Sequence, residues 1–323
     1  MKTWIDFDAA PVFTIPLTHV VNGVDVCEGM LIEGPQGWGE FSPPAGCDGR
    51  RAARRLTAAI EVGTVGWPDP VRGRVPVAVT VPPSDPAEAH RLAAQSGCRT
   101  AALRVGEGSL NDDRARLEAV RDALGPSGSI RCEAHGRWDL EGAAAAIPVL
   151  ERAAGGLEFV EQPCAGLDDL AALRRRVEVP VAVGRSISDA DDPLRLRLAE
   201  SADLAVLNVA ALGGVRRALR VAESVGLPCV VAAEVQSSIG IAGGLALAGV
   251  LDDAGFAHSL GGALLLAGDV VSAGRSLIPV EGRLPVAPMP SAPDPARLDR
   301  FTATDPETVA RWRRLLASVQ RYL

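Results

Sequence analysis

Glu133 and His135 stand two residues apart in the stretch Ile130-Arg-Cys-Glu-Ala-His-Gly-Arg-Trp138, where an apolar run meets two titratable side chains and Gly136 breaks it. Alternation with period two puts both on one face of a strand, at its C-terminal end. A carboxylate beside an imidazole suits proton transfer near neutral pH, because histidine titrates there and the acid tunes it. Two more carboxylates end apolar runs: Glu161 in Leu157-Glu-Phe-Val-Glu-Gln-Pro-Cys164, and Glu234 in Ala232-Ala-Glu-Val-Gln236. His135, Glu133, Glu161 and Glu234 are therefore the candidate catalytic residues. Arg104 and Arg185 can hold a substrate carboxylate bidentately, or stabilise negative charge as it develops. Ser186, Asn208 and Gln236 add hydrogen-bonding groups for the same ligand. Plainer roles are open to each: the arginines neutralising Glu133 and Glu161 in a buried network, Glu234 paired with an arginine, Asn208 positioning a neighbour. Cys132 points away from the Glu133 face and reads as packing, and His258 reads as structural.

Such a set needs a scaffold that brings many strand ends together. From Val75 to about residue 270, β-branched apolar runs alternate with helical patterns. Strands are expected over 75–81, 100–105, 130–135, 157–162, 179–184, 203–209, 228–234 and 256–260. Helices are expected over 85–97, 111–124, 139–153, 167–176, 189–200, 214–225 and 238–252. Eight such units predict a parallel sheet covered on both faces and closed as a (β/α)8 barrel over 75–270. Active sites of that fold lie at the C-terminal ends of its strands. Residues 1–74 read as a separate unit. Val20 to Gly34 alternates around turn glycines as a small antiparallel meander, and residues 51–62 form an Ala- and Arg-rich helix. Residues 271–304, Ala/Pro-rich over 280–296, predict a connecting segment, and 305–323 a last helix packing back on the first unit. The glycine pairs Gly213-Gly214 and Gly261-Gly262 offer backbone N–H groups to an anion, a weak signal by itself.

The 323 residues, 47% hydrophobic, suffice for a barrel of roughly 250 residues and a smaller second domain. No apolar run of about 20 residues escapes charge or Gly/Pro interruption, so no membrane span is expected. The first residues lack the basic and apolar sections of a signal peptide. Six cysteines are scattered without a C-x-x-C, which fits reduced thiols and a cytoplasmic protein. A net charge of -7 argues against nucleic acid as partner. The expected partner is a small-molecule carboxylate substrate, and a homo-oligomer is left open. Lys2 is the only lysine among 33 basic residues, so no lysine within the barrel can shuttle a proton or form a Schiff base.

Several stretches make the chain resemble the enolase superfamily, and within it the o-succinylbenzoate synthases of menaquinone biosynthesis. They are Gly37-Trp-Gly-Glu-Phe-Ser-Pro43, Gly66-Trp-Pro68 running on to Arg74-Val-Pro-Val77, Ala119-Val-Arg-Asp-Ala-Leu-Gly-Pro-Ser-Gly128, Glu161-Gln-Pro163, Leu212-Gly-Gly-Val215 and Ser238-Ile-Gly-Ile-Ala-Gly-Gly-Leu-Ala246. The resemblance implies an α+β capping domain over a modified (β/α)8 TIM barrel. It also implies Mg²⁺ on three acidic strand ends, and two facing lysines that handle the proton α to a carboxylate. Carried over residue by residue, the second-strand Lys-x-Lys falls on Ala102-Leu103-Arg104, and the third-strand Asp-x-Asn on Glu133-Ala134-His135. The fourth-strand Glu is kept as Glu161. The fifth-strand Asp-Glu falls on Gly184-Arg185, the sixth-strand lysine on Asn208, and the seventh-strand Ser-x-x-x-Glu region on Ala232 to Gln236.

Both lysines and one metal ligand are thus replaced. Mg²⁺ prefers near-octahedral oxygen coordination anchored by carboxylates, so with Gly184 and Arg185 at the third position no metal and no other cofactor is expected. Arg104 cannot replace a lysine as base, because it stays protonated. The function expected is an o-succinylbenzoate-synthase-like protein repurposed as a metal-independent lyase, isomerase or cyclase acting on a small carboxylated molecule. The alternatives are a non-catalytic pseudoenzyme that binds a ligand or partner, and a residual Mg-dependent o-succinylbenzoate synthase or racemase. His135, Arg185 and Glu234 are polar residues at positions read as inward. Burying charge costs several kcal/mol unless it is paired, which favours a rebuilt site over drift.

Overall fold

Alternating apolar and polar residues shape the first sheet. β1 (Val12–Val21), β2 (Val24–Gly34) and β3 (Gly37–Phe41) form an antiparallel meander in a computed structural model that describes residues 5–21 and 23–323. Met30, Ile32 and Phe41 pack against Leu56 and Ala59 of the helix Gly49–Thr64. That helix starts at Asp48, whose carboxylate accepts from Arg51 N, a usual N-cap arrangement. It lies very close to the sheet, because a Cβ on Gly39 would come within 2.2 Å of the Ala59 carbonyl oxygen. The last helix, Pro306–Val319, closes the same core with Trp312, Leu316 and Val319.

β4 (Arg74–Pro76) leads into the parallel sheet. β5 (Ala78–Val81), β6 (Thr100–Arg104), β7 (Ser129–Glu133), β8 (Val160–Glu161), β9 (Val181–Val183), β10 (Leu204–Asn208) and β11 (Cys229–Ala232) follow one another across it in sequence order. Helices Pro86–Gln95, Leu110–Leu124, Leu140–Ala154, Leu167–Arg174, Val215–Val225 and Ser238–Val250 cover it. Asp85, Ser109, Asp139 and Ser237 cap four of them with side-chain oxygens. No helix among the described residues is long and apolar enough to cross a membrane.

Three expectations need correction. Residues 256–260 form no strand; single bridges Val77–His258 and Ala232–Ser259 join the two edges of the sheet. The His258 side chain supplements them, its Nδ1 accepting from Val231 N at 3.1 Å. Burial pulls this imidazole down to about 4, so it stays a neutral acceptor. Residues 189–200 form no full helix. A short helix, Arg185–Asp189, is followed by a 3₁₀ turn at Pro193–Arg195, and Asp192 is extended (φ -134°, ψ 93°), as the residue before a proline prefers. The segment 271–304 contains β12 (Arg283–Pro285), paired antiparallel with β4, and the helix Pro295–Phe301.

The barrel interior holds one charge that composition does not advertise. Arg131 is fully buried beneath the mouth, two residues before Glu133 on β7. Small residues make room for it: Ala78, Ala102 and Ala257 form a fully or nearly fully buried cluster of their own. Its Nη1 donates to Ala257 O at 2.7 Å and its guanidinium lies 5.1 Å from the centre of the Phe159 ring, while Nε and Nη2 have no hydrogen-bond partner. Arg131→Ala should cost about 3–5 kcal/mol in urea denaturation, as other large side chains deleted from cores do. Arg131→Met keeps most of the volume but leaves Glu158, 3.9 Å from Nη1, without its positive charge, so it should recover only part of that loss. Equal losses for Met and Ala would show that the guanidinium's polar contacts outweigh its volume.

Candidate active site

The mouth of the barrel is built around two strand ends. β7 and β8 pair in parallel with Glu133 opposite Glu161, so both carboxylates leave neighbouring strands at the same level. Glu133 Oε1 accepts from Ser259 Oγ at 3.4 Å, tying it to the segment that closes the barrel. Glu161 leans over the end of β9: a Cβ built on Gly184 would lie 2.3 Å from Glu161 Oε1. The space for a side chain at 184 is therefore taken by the Glu161 carboxylate. Burial first, and then the charge of Glu133, raise Glu161 to about 8; Arg131 and Arg104 pull it back only in part. Two close carboxylates cannot both ionise cheaply in a poorly solvated place, so one keeps its proton.

Gln162 locks this arrangement. It adopts φ 45°, a left-handed conformation that a non-glycine residue holds only when its surroundings fix it. Its Oε1 accepts from Gly184 N and Ser186 N at 3.2 and 3.0 Å, and its Nε2 donates to Ser186 Oγ at 2.7 Å. Ser186 is thereby committed to the turn after β9.

His135 is not a strand residue. β7 ends at Glu133, and His135 sits in the following turn with φ 54°, so period-two alternation no longer applies to it. Its Nε2 is buried with no hydrogen-bond partner. Burial, then the charge of Arg104, lower its pKa against the pull of Glu133, leaving the ring neutral at pH 7. Arg104 ends β6 directly opposite Glu133. Its Nε is also buried and unpartnered, and Glu107 is 4.0 Å from its Nη1. Arg185 does not join this group. Its side chain is 60% exposed, with Nε 3.1 Å from Asp189 Oδ2 and Nη1 donating to His135 O at 3.2 Å. It buttresses the histidine turn from outside and does not neutralise Glu161.

Glu234, just past β11, meets the capping unit. Arg55 Nη2, from the helix Gly49–Thr64, donates to its Oε1 at 2.6 Å, and Asn208 Nδ2 donates to its Oε2 at 2.7 Å. Burial works to raise this acid, but Arg55 and Asn208 prevail and hold it below the usual carboxylate range. Gln236 Nε2 donates to Ser42 Oγ at 3.0 Å, and Ser42 Oγ donates to Glu40 Oε1 at 2.7 Å. Gln236 thus belongs to the seam between cap and barrel. Glu234 lines a cavity of about 500 Å³ whose apolar wall includes Leu17, Val26 and Trp312, with Ser42 and Cys47 beside them. That volume suits a small molecule. The expected anion site at Gly213-Gly214 is already filled, since Glu61 Oε2 accepts from Val215 N at 2.6 Å. Sequence reasoning missed Arg55, Arg131 and Gln162. For Arg131 the signal was present, because it shares the phase of Glu133; for Arg55, one of several arginines on its helix, there was none.

The first unit matches the family described as Enolase N-terminal domain-like over residues 12–63, and the barrel matches Enolase C-terminal domain-like over residues 85–290. An o-succinylbenzoate synthase from Thermobifida fusca is 50% identical over 276 residues, covering 85% of this chain and 86% of that protein. The chain belongs to the enolase superfamily. Another o-succinylbenzoate synthase, from Mycolicibacterium smegmatis, is 41% identical over 298 residues, 91% of this chain and 90% of that one. A muconate lactonizing enzyme from Pseudomonas fluorescens, solved with muconolactone, superposes with TM-score 0.78 at 22% identity, over 93% of this chain and 98% of that one. A dipeptide epimerase from Enterococcus faecalis gives 0.72 at 21% identity, over 89% and 97%. At such identities these two superfamily structures show the shared fold.

The Mg²⁺ that the superfamily resemblance implies asks for three acidic strand ends. Glu133 and Glu161 offer two, and Gly184 offers none, its side-chain space being filled by Glu161. Among the described residues no three His, Cys, Asp or Glu side chains are grouped to hold a metal ion. The donor set does not fit Mg²⁺. Millimolar Mg²⁺ should accordingly leave thermal stability unchanged, whereas a site filled at a hundred times its Kd would add about 2.7 kcal/mol. Glu234→Gln should cost about 2–3 kcal/mol in denaturant unfolding, less than a fully buried pair because Glu234 is a third exposed. Adding Arg55→Met to it should restore much of the loss; no recovery would mean that Arg55 has other anchors.

Proposed function

We propose that this chain is a metal-independent lyase, isomerase or cyclase that moves a proton next to a carboxylate of a small molecule. One observation carries the reading: Glu133 and Glu161 stand opposite each other at two neighbouring strand ends, where burial and the charge of Glu133 raise Glu161 to about 8. A carboxylic acid that stays neutral at working pH can donate a hydrogen bond to an oxyanion as it forms. Arg104, with its unpartnered Nε, adds a fixed positive charge on the same side. His135 is neutral at pH 7 and is the group that takes the proton. Glu133 acts on Glu161 through its charge. Glu234, held ionised by Arg55 and Asn208, is the weaker base and faces the cavity. The relatives' name supplies a substrate class: o-succinylbenzoate is an aromatic molecule with two carboxylates, and Arg104 at the end of β6 suits one of them.

The test follows solvent deuterium entering the methylene beside the aliphatic carboxylate of o-succinylbenzoate, by NMR, with EDTA present. Exchange should proceed, and His135→Asn should slow it about 10²–10⁴-fold, the usual share of a general base. The rate should fall above pH 8 as Glu161 ionises, and Glu161→Gln, which keeps a hydrogen-bond donor, should lose that alkaline limb. Exchange that requires added Mg²⁺, or that ignores His135→Asn, would sink the reading. Stability offers a second check on the same group. The folded-state pKa is raised from 4.5 to about 8, so the folded state binds more protons across that window and stability falls as pH rises through it. Glu161→Gln should flatten this fall.

A further inference from the structure

A second recess lies between the cap helix Gly49–Thr64 and the barrel helix Val215–Val225. Its volume is about 690 Å³, and Arg50, Arg54, Arg216, Arg217 and Arg220 line it against two acids, Glu61 and Asp191. Five guanidinium groups against two carboxylates leave a surplus of three positive charges, in a chain whose net charge is -7.

The acids answer only part of this charge: Glu61 Oε1 lies 3.7 Å from Arg216 Nη1, and the charge of Asp191 acts on Arg54. Glu61 accepts from Val215 N and Arg216 N at 2.6 and 3.2 Å, answering the start of the barrel helix. Asp48 and Asp189 pair with Arg51 at 3.0 and 2.9 Å. Arg54 is held in place by backbone carbonyls, its Nη1 donating to Ala190 O at 2.9 Å and its Nη2 to Asp191 O at 2.6 Å. Burial lowers its pKa, and the charge of Arg217 lowers it further. Like charges gathered in a recess repel one another unless an anion joins them. Arginine's planar fork matches phosphate oxygens two at a time, and a volume of this order takes a small molecule.

We propose that this recess binds a small diphosphate-bearing anion, which ties the cap helix to the barrel. The arginines come from both sides of the seam, Arg50 and Arg54 from the cap and Arg217 and Arg220 from the barrel, so one ligand would join the two. The diphosphate group can be free or carried on a nucleotide, with the Tyr322 ring at the rim beside its base.

The experiment uses the full chain in low-salt buffer without divalent ions, titrated with inorganic pyrophosphate, ADP and citrate while melting temperature and binding heat are recorded. Pyrophosphate should raise the melting temperature in a saturable way. Arg217→Ser combined with Arg220→Ser should weaken binding at least ten-fold. Arg50→Ser, exposed on the cap, should weaken it from the other side, and Arg114→Ser on the helix Leu110–Leu124 should change nothing. ADP binding more tightly than pyrophosphate would assign the group to a nucleotide, and equal binding to the free anion; either result supports the site. A shift that does not saturate, variants that bind like the parent, or citrate binding as tightly as pyrophosphate would overturn the proposal.

Discussion

Two carboxylates on neighbouring strands repel each other when both are ionised, and the centre of this barrel is arranged around the Glu133–Glu161 pair. A divalent cation is one answer to such a pair, and Gly184 leaves it a ligand short. Two arginines also stand near the pair. Arg131 lies below the pair, in a space cleared by three alanines, and Arg104 stands beside it at the end of β6. Neither cancels the repulsion, because each is held by the backbone or by packing and not by direct contact with both acids. Burial and the charge of Glu133 therefore still raise Glu161, to about 8.

The seam between cap and barrel follows a different rule. There the acids are held by direct hydrogen bonds, although Arg55 Nε and Nη1 stay without partners. Arg55, Glu234 and Asn208 form one set, and Glu40 with Ser42, Ser237 and Gln236 another. Glu40 is itself raised to about 7, by burial first, against the pull of the serine hydrogen bonds. The cap thus rests on polar contacts that need particular protonation states, while its own core of Phe41, Leu56 and Trp312 is apolar. Such a seam can hold a cavity open beside Glu234 without losing its register.

Much of the architecture is legible in the sequence. β-branched runs of five or so residues, separated by capped helices, determine the strands and their order, because each short apolar run is satisfied only between two covering helices. Weak patterns failed where tertiary pairing was needed. The eighth strand is reduced to bridges because the His258 side chain takes over a backbone acceptor's part. The helix expected at 189–200 yields to the extended residue before Pro193.

By itself the sequence determined the barrel, the cap, the residues at the strand ends and the glycine that leaves the third acidic position vacant. These are local properties, readable from period and type. The tertiary structure alone decided which way the long side chains went. Arg185 runs out to Asp189 while Arg131 stays inside. His135 turns off the strand, and Arg55 crosses from another unit to meet Glu234. A guanidinium reaches far from its own backbone, and its partner is set by which carboxylate the fold leaves poorly solvated nearby, a quantity that no local pattern encodes.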